Sequence, residues 1–162
     1  DDVVITGGTQ QAIDLIARVL LSPDDRIAVE DPCYEAARRA FEAAGARIVG
    51  VPVDDDGLIV DALPADVKAV YVTPSHQYPL TVTMTLDRRR ALLDWASRNN
   101  AAIIEDDYDG EFRFEGRPLE ALQTLDVAGR VIYVGSFGVA KGQVCQRLDD
   151  IDAGAGRAFP ID

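Results

Sequence analysis

The run Ala101-Ala102-Ile103-Ile104 leads without a break into Glu105, Asp106 and Asp107, and then into Tyr108. Such a short apolar stretch reads as a buried strand, so its end is loaded with carboxylates. In an open α/β sheet, ligands sit outside the carboxyl ends of the strands, which is where these acids begin. One of them is therefore a candidate for gripping a ligand nitrogen. A lone Asp after a strand is ordinarily a solvated loop residue, but three consecutive acids ahead of a tyrosine argue for a site.

The same kind of strand recurs along the chain. Val3–Thr6, Arg26–Glu30, Arg47–Val51, Lys68–Val72 and Val131–Val134 are short and rich in β-branched or aromatic residues. Helical patterns separate several of them. Ile13, Ile16, Ala17 and Leu20 make one apolar stripe, and the helix after Tyr34 runs to about Ala44, where Gly45 is placed to stop it. Thr85 is positioned to cap a third helix with Leu92, Leu93, Trp95 and Ala96 as core, Arg88, Arg89 and Arg90 as solvated positions, and Asn99-Asn100 as its end. Strands alternating with helices predict a three-layer α/β/α domain with a mainly parallel sheet.

Composition narrows the function classes. A chain of 162 residues, 48% hydrophobic and 27% charged, fits one globular domain. Its formal charge of -12 opposes direct contact with nucleic acid or anionic lipid. No apolar run approaches the ~20 residues that span a bilayer and no basic-then-apolar leader opens the chain, so the expectation is a cytoplasmic protein. Cys33 and Cys145 have no paired spacing, which argues against zinc and against a disulfide framework. His76 is the single histidine, leaving no multi-histidine metal site, and a Cys33–His76 catalytic pair is a weaker alternative. The acidic turn Asp54-Asp55-Asp56-Gly57 lacks the ligand alternation of a calcium loop and reads as solvated. Only Lys68 and Lys141 carry side-chain amines.

Two further stretches have ligand-holding chemistry. Gly7-Gly8-Thr9 opens the first helix, where free backbone N–H groups and the helix dipole favour an anion such as phosphate. Thr73-Pro74-Ser75-His76-Gln77-Tyr78-Pro79 follows a strand and encloses polar side chains between two prolines, giving a stiff loop. Tyr34 stands where a strand hands over to a helix, so its ring can stack on a flat ligand.

Taken together and in order, Gly7-Gly8-Thr9-Gln10-Gln11-Ala12, Glu30-Asp31-Pro32-Cys33-Tyr34, the Thr73–Pro79 loop, Glu105-Asp106-Asp107-Tyr108-Asp109-Gly110-Glu111-Phe112-Arg113 and Gly135-Ser136-Phe137 resemble the aminotransferase-like domain of MocR-type regulators of the GntR family. These are fold type I pyridoxal-phosphate proteins of aminotransferase class I/II. The resemblance implies pyridoxal 5'-phosphate as cofactor, with its phosphate at Gly8, Thr9 and Gln10 and Tyr34 on the ring face. It also implies Asp106 at the pyridine nitrogen, Tyr108, His76 and Gln77 near the phenolic oxygen, and Ser136 among the cofactor contacts. A carboxylate at the nitrogen keeps it protonated, so that the ring can serve as an electron sink. The sequence leaves open whether Asp106 or Asp107 faces inward, because neighbouring strand residues point to opposite sides.

Departures from the family pattern matter as well. Where the family reads Ser-Phe-Ser-Lys, this chain reads Ser136-Phe137-Gly138-Val139, so Val139 occupies the position of the Schiff-base lysine and Lys141 follows two residues later. Thr81 stands where the family has a glycine after the second proline of the His-Gln loop. The expected organisation is a partial large domain over 1–137 followed by a divergent tail over 138–162. The expected function is an aminotransferase-like domain acting on an amino acid or amine, impaired because Val139 stands at the Schiff-base position and Lys141, the remaining candidate for that lysine, is displaced by two residues. The main alternative is a catalytically silent cofactor-binding sensor that responds to a small amino compound. A homodimer is expected for either, and a generic phosphate-binding doubly wound domain would leave Tyr34, Asp106 and Tyr108 unexplained together.

Overall fold

The computed structural model describes residues 3–108, 120–137 and 145–149. Strands β1 (Val4–Thr6), β2 (Arg26–Asp31), β3 (Arg47–Asp54), β4 (Gly57–Leu58), β5 (Ala69–Val72), β6 (Ala102–Asp107), β7 (Val131–Phe137) and β8 (Cys145–Asp149) form one sheet in the order β1-β8-β7-β6-β5-β2-β3-β4. The central strands β3, β2, β5, β6 and β7 are mutually parallel, while β8 runs antiparallel to both β1 and β7. β8 lies in the stretch expected to diverge, where the sequence pattern suggests no strand.

Helices cover both faces. α1 (Thr9–Leu20) and α2 (Glu35–Ala43) pack Ile13, Ala17, Ala37 and Phe41 on Ile27, Val29, Tyr71 and Ile104. α3 (Leu86–Asn99) packs Leu92, Trp95 and Ala96 on Ala28, Val70, Val72 and Ile103, and the short α4 (Leu122–Leu125) adds Leu122 to that side. Strand alternation produces this partition, since Ile27 and Val29 face one layer and Ala28 the other. The result is the expected α/β/α sandwich.

Helix boundaries follow local chemistry. The Thr85 side chain accepts from Arg88 N, and Asn100 ends α3 in a left-handed conformation with φ 53°. Gly45, at φ 88°, closes α2 as its sequence position indicates. The three neighbouring arginines do not share one environment. Arg90 is exposed, whereas Arg88 is partly buried and donates to Leu58 O at 2.7 Å, and Arg89 is fully buried. The expectation that all three are solvated is thus corrected. Consecutive helix residues are rotated by about 100°, and Arg89 falls on the Leu92–Ala96 stripe that faces the sheet.

The chain order sets where a ligand can bind. From β2 the chain passes to β3 on one side, and then crosses back to β5 on the other. The carboxyl ends of β2 and β5 therefore flank a topological switch point, the usual position of a crevice in such sheets.

Candidate functional site

A cavity of about 230 Å³ opens at that switch point. Tyr34 after β2, Tyr71 and Thr73 at the end of β5, and Asp106 and Tyr108 at the end of β6 line it, together with Thr9 of α1 and Tyr78 of the loop after β5. Its walls are mainly aromatic. Tyr78 meets Tyr34 edge-on at 5.6 Å and Tyr108 edge-on at 6.3 Å, while His76 stacks on Tyr108 at 6.0 Å with 20° between the planes.

The inward-facing acid is Asp106. It is 3% exposed, and the Tyr71 hydroxyl donates to its Oδ2 at 2.7 Å. Asp107 points elsewhere and accepts from the Tyr133 hydroxyl at 2.8 Å. Burial first, and then the nearby Asp106 charge, hold the Tyr71 phenol well above its ordinary pKa, so Tyr71 stays a donor.

The start of α1 has the opposite electrostatic character, that of an uncapped helix N-terminus. Gly8 is the residue before the helix, with φ 142° and no capping side chain, and Thr9 begins the helix facing the cavity. A φ of that sign suits glycine and leaves the first N–H groups of a 12-residue helix unblocked by a side chain. An anion-accepting helix start, tyrosine walls and a buried carboxylate thus bound one cavity. That donor and acceptor set fits a flat heteroaromatic phosphate carrying a protonated nitrogen.

Other expected site residues stand further back. Gln10 is exposed and its amide donates to Ala36 O at 3.2 Å, which leaves its backbone N–H as its means of contact. Gln77 is buried, and its Nε2 donates to Pro32 O at 2.8 Å, Tyr78 O at 2.9 Å and Glu30 Oε2 at 3.2 Å. Ser136 donates to Tyr108 O at 2.9 Å and braces the end of β6 against β7. Val139 and Lys141 lie outside the described residues, as do Asp109–Arg113.

Several residues around the cavity do not stand out in the sequence. Tyr71 reads as ordinary strand core within Ala69–Val72, although its position near the strand end and on the Thr73 side of the alternation is a usable signal. Behind the cavity lies a second layer of buried charge. Glu30 accepts from Thr73 N at 3.1 Å and Thr73 Oγ1 at 2.7 Å. Arg89 donates to Pro74 O at 2.7 Å and Met84 O at 3.0 Å. Glu105 accepts from Leu122 N at 2.9 Å and Gln123 N at 3.0 Å. Burial pushes both carboxyls up to about 7, against the opposing pull of these hydrogen bonds.

The family model for aminotransferase class I and II matches residues 1–148. The chain belongs to that family. Among curated relatives, this aminotransferase class I and II chain is 46% identical to the uncharacterized HTH-type transcriptional regulator YdeL of Bacillus subtilis, over 85% of its own length and 30% of that protein. It is 43% identical to the probable rhizopine catabolism regulatory protein MocR of Rhizobium meliloti, over 85% of its length and 28% of the regulator. Among solved structures, it superposes with a TM-score of 0.84 and 40% identity on a Pyrococcus horikoshii kynurenine aminotransferase crystallised with PMP, covering 90% of this chain and 39% of that enzyme. The fold is that of the fold type I aminotransferases, and the chain spans about a third of the length of such relatives.

Proposed function

We propose that this chain is the cofactor-holding core of a pyridoxal-phosphate aminotransferase-like domain, whose family reaction is transamination of an amino acid or amine. The observation that carries the reading is the buried Asp106 carboxylate sharing one aromatic cavity with the open start of α1. In this reading the phosphate meets the N–H groups of Gly8, Thr9 and Gln10, and Tyr34 lies on the ring face, a contact worth about 0.5–1.5 kcal/mol beyond burial. Asp106 holds a proton on the ring nitrogen, and Tyr71 fixes the carboxylate that does so. His76 and Tyr108 flank the phenolic side, Gln77 acts one step back through its loop, and Ser136 secures the Tyr108 carbonyl. When bound, the cofactor supplies an electron sink for a carbanion, and the protein supplies orientation and charge. Adding pyridoxal phosphate should give a saturable change in absorbance that inorganic phosphate competes away; absence of saturation would sink the reading.

A second reading is a catalytically silent sensor module within a transcriptional regulator. Val139 at the family's lysine position and the regulators among the relatives favour it. Borohydride reduction followed by peptide mass spectrometry separates the two. Pyridoxyl label on Lys141 together with amino-donor turnover supports the enzyme, whereas saturable binding without label supports the sensor. In either case the partner is a small amino compound acting as substrate or effector. We further propose a cytoplasmic homodimer, a location that suits a transcriptional regulator and an assembly that would complete a cavity open on one side.

A further inference from the structure

Glu30 is not among the residues lining the cavity, yet it is 1% exposed and, among the described residues, the hydrogen bonds its carboxylate accepts come from the loop after β5. Three donors converge on Oε2: Thr73 N at 3.1 Å, Thr73 Oγ1 at 2.7 Å and Gln77 Nε2 at 3.2 Å. The bonds then continue to the wall. Thr73 Oγ1 accepts from Tyr78 N at 3.0 Å, and Thr73 and Tyr78 both line the cavity. Gln77 ties the same carboxylate to the carbonyls of Pro32, two residues before Tyr34, and of Tyr78, whose ring meets Tyr34 edge-on.

We propose that Glu30 is a positioning residue that holds the Thr73–Tyr78 wall in its ligand-ready shape, and that its ionised carboxylate holds this wall more tightly than the neutral acid. The inference rests on the reading of the cavity as a pyridoxal-phosphate site. Hydrogen bonds to a carboxylate are shorter and stronger than those to a neutral acid oxygen, and here three donors share one oxygen atom. Oε1 is buried without a hydrogen-bond partner among the described residues, so it can take up a proton without breaking any of the three. Protonation therefore weakens the clamp without dismantling it. Burial places the carboxyl at about 7, where both forms are populated near neutrality.

The groups that face Glu30 leave it as the one to titrate there. Asp106 of β6 adds negative charge that raises it, Tyr71 of β5 is itself held well above its ordinary range, and Cys33 beyond β2 is pushed up to about 11. His76 rides on the same loop and is present in wild type and variant alike, so it cancels in a comparison of the two.

The test is Glu30→Gln, which keeps the shape and fixes a neutral side chain. Dissociation constants for pyridoxal phosphate are measured for both proteins from pH about 5.5 to about 8.5. The variant-to-wild-type ratio should lie near unity at the acidic end and rise to about fivefold at the basic end. A ratio that is constant with pH would reduce Glu30 to a packing role and overturn the proposal. In the ligand-free proteins, the amide shifts of Thr73 and Tyr78 should share a titration near pH 7 in wild type that is missing from Glu30→Gln, whatever response His76 leaves in both. If wild type binds no pyridoxal phosphate, the functional reading falls and the amide titration alone decides: a shared titration in wild type only supports the clamp, and the same response in both proteins overturns it.

Discussion

The Tyr71 hydroxyl donates a 2.7 Å hydrogen bond to Oδ2 of Asp106 across the neighbouring parallel strands β5 and β6. Both side chains are buried, so the bond is made in surroundings of low polarity that strengthen it. Tyr71→Phe removes the donor and keeps the ring. It should weaken pyridoxal phosphate binding about tenfold, reflecting loss of a bond to a charged group worth roughly 1.5 kcal/mol. Asp106→Ala should cost tenfold or more on the same scale, about 1.5–3 kcal/mol, while Asp107→Ala should change affinity little. Absorbance titration of the three variants checks the order; a larger loss from Asp107→Ala would reassign the ligand-facing acid.

Much of this site was legible in the sequence because strand ends and helix starts announce themselves. Asp106 follows a short apolar run, Thr9 follows two glycines, and Tyr34 follows a proline turn. Parity along β6 could not choose between Asp106 and Asp107 until the face of the sheet was known, and that depends on which helices cover it. Glu105, one of the three acids at that strand end, accepts from the start of α4, while Glu30 and Arg89 do not stand out for another reason. Charged residues are read as solvated by default, and only the assembled core shows that Thr73 N and Pro74 O need partners there. Gln77 differs, because the sequence does single it out. Its motif marked it as a ligand contact, whereas its amide is spent on Glu30 and two backbone carbonyls.

The Arg89 guanidinium lies 3.9 Å from Glu105, and both side chains are fully buried. Arg89 also donates to the carbonyls of Pro74, Met84 and Glu120, so it joins the loop after β5 to the start of α3 and to the segment before α4. Arg89→Met would leave Glu105 without its counter-charge and would take the guanidinium donors from Met84 O and Glu120 O, while Pro74 O keeps Met84 N as a donor. Unfolding in urea should show a loss of about 3–5 kcal/mol, the usual scale for breaking a buried pair from one side. A loss below about 1 kcal/mol would mean that water replaces the guanidinium.

Stability should also vary with pH in a defined direction. Glu30 and Glu105 are raised in the fold from 4.5 to about 7, mainly by burial. Between those values the folded chain holds protons that the unfolded chain has already released, so stability falls as pH rises through the window. Their contribution is complete below 4.5 and is lost as pH passes about 7. Each tenfold difference in proton affinity between the folded and unfolded chain corresponds to at most about 1.4 kcal/mol. Denaturant midpoints measured across this range should decline, and Glu30→Gln should flatten part of the decline. An unchanged slope in the variant would place the titration elsewhere.

Thr81 occupies the left-handed region at φ 63°, at the position where the family pattern carries glycine. The turn itself is kept: Thr81 N donates to Gln77 O at 2.7 Å, and Gln77 N donates to Val82 O at 2.8 Å. A β-branched residue is strained in that conformation, by roughly 1–3 kcal/mol, because its branched side chain crowds the backbone. Thr81→Gly removes the strain but enlarges the freedom of the unfolded chain, which costs about 0.5–1 kcal/mol. Strain is the larger of the two, so the variant should be more stable by about 0.5–2 kcal/mol, with the turn unchanged. Thr81→Val, equally branched, should bring no such gain. Thermal or urea unfolding of both variants tests the argument, and a destabilised Thr81→Gly protein would show that the threonine turn is unstrained.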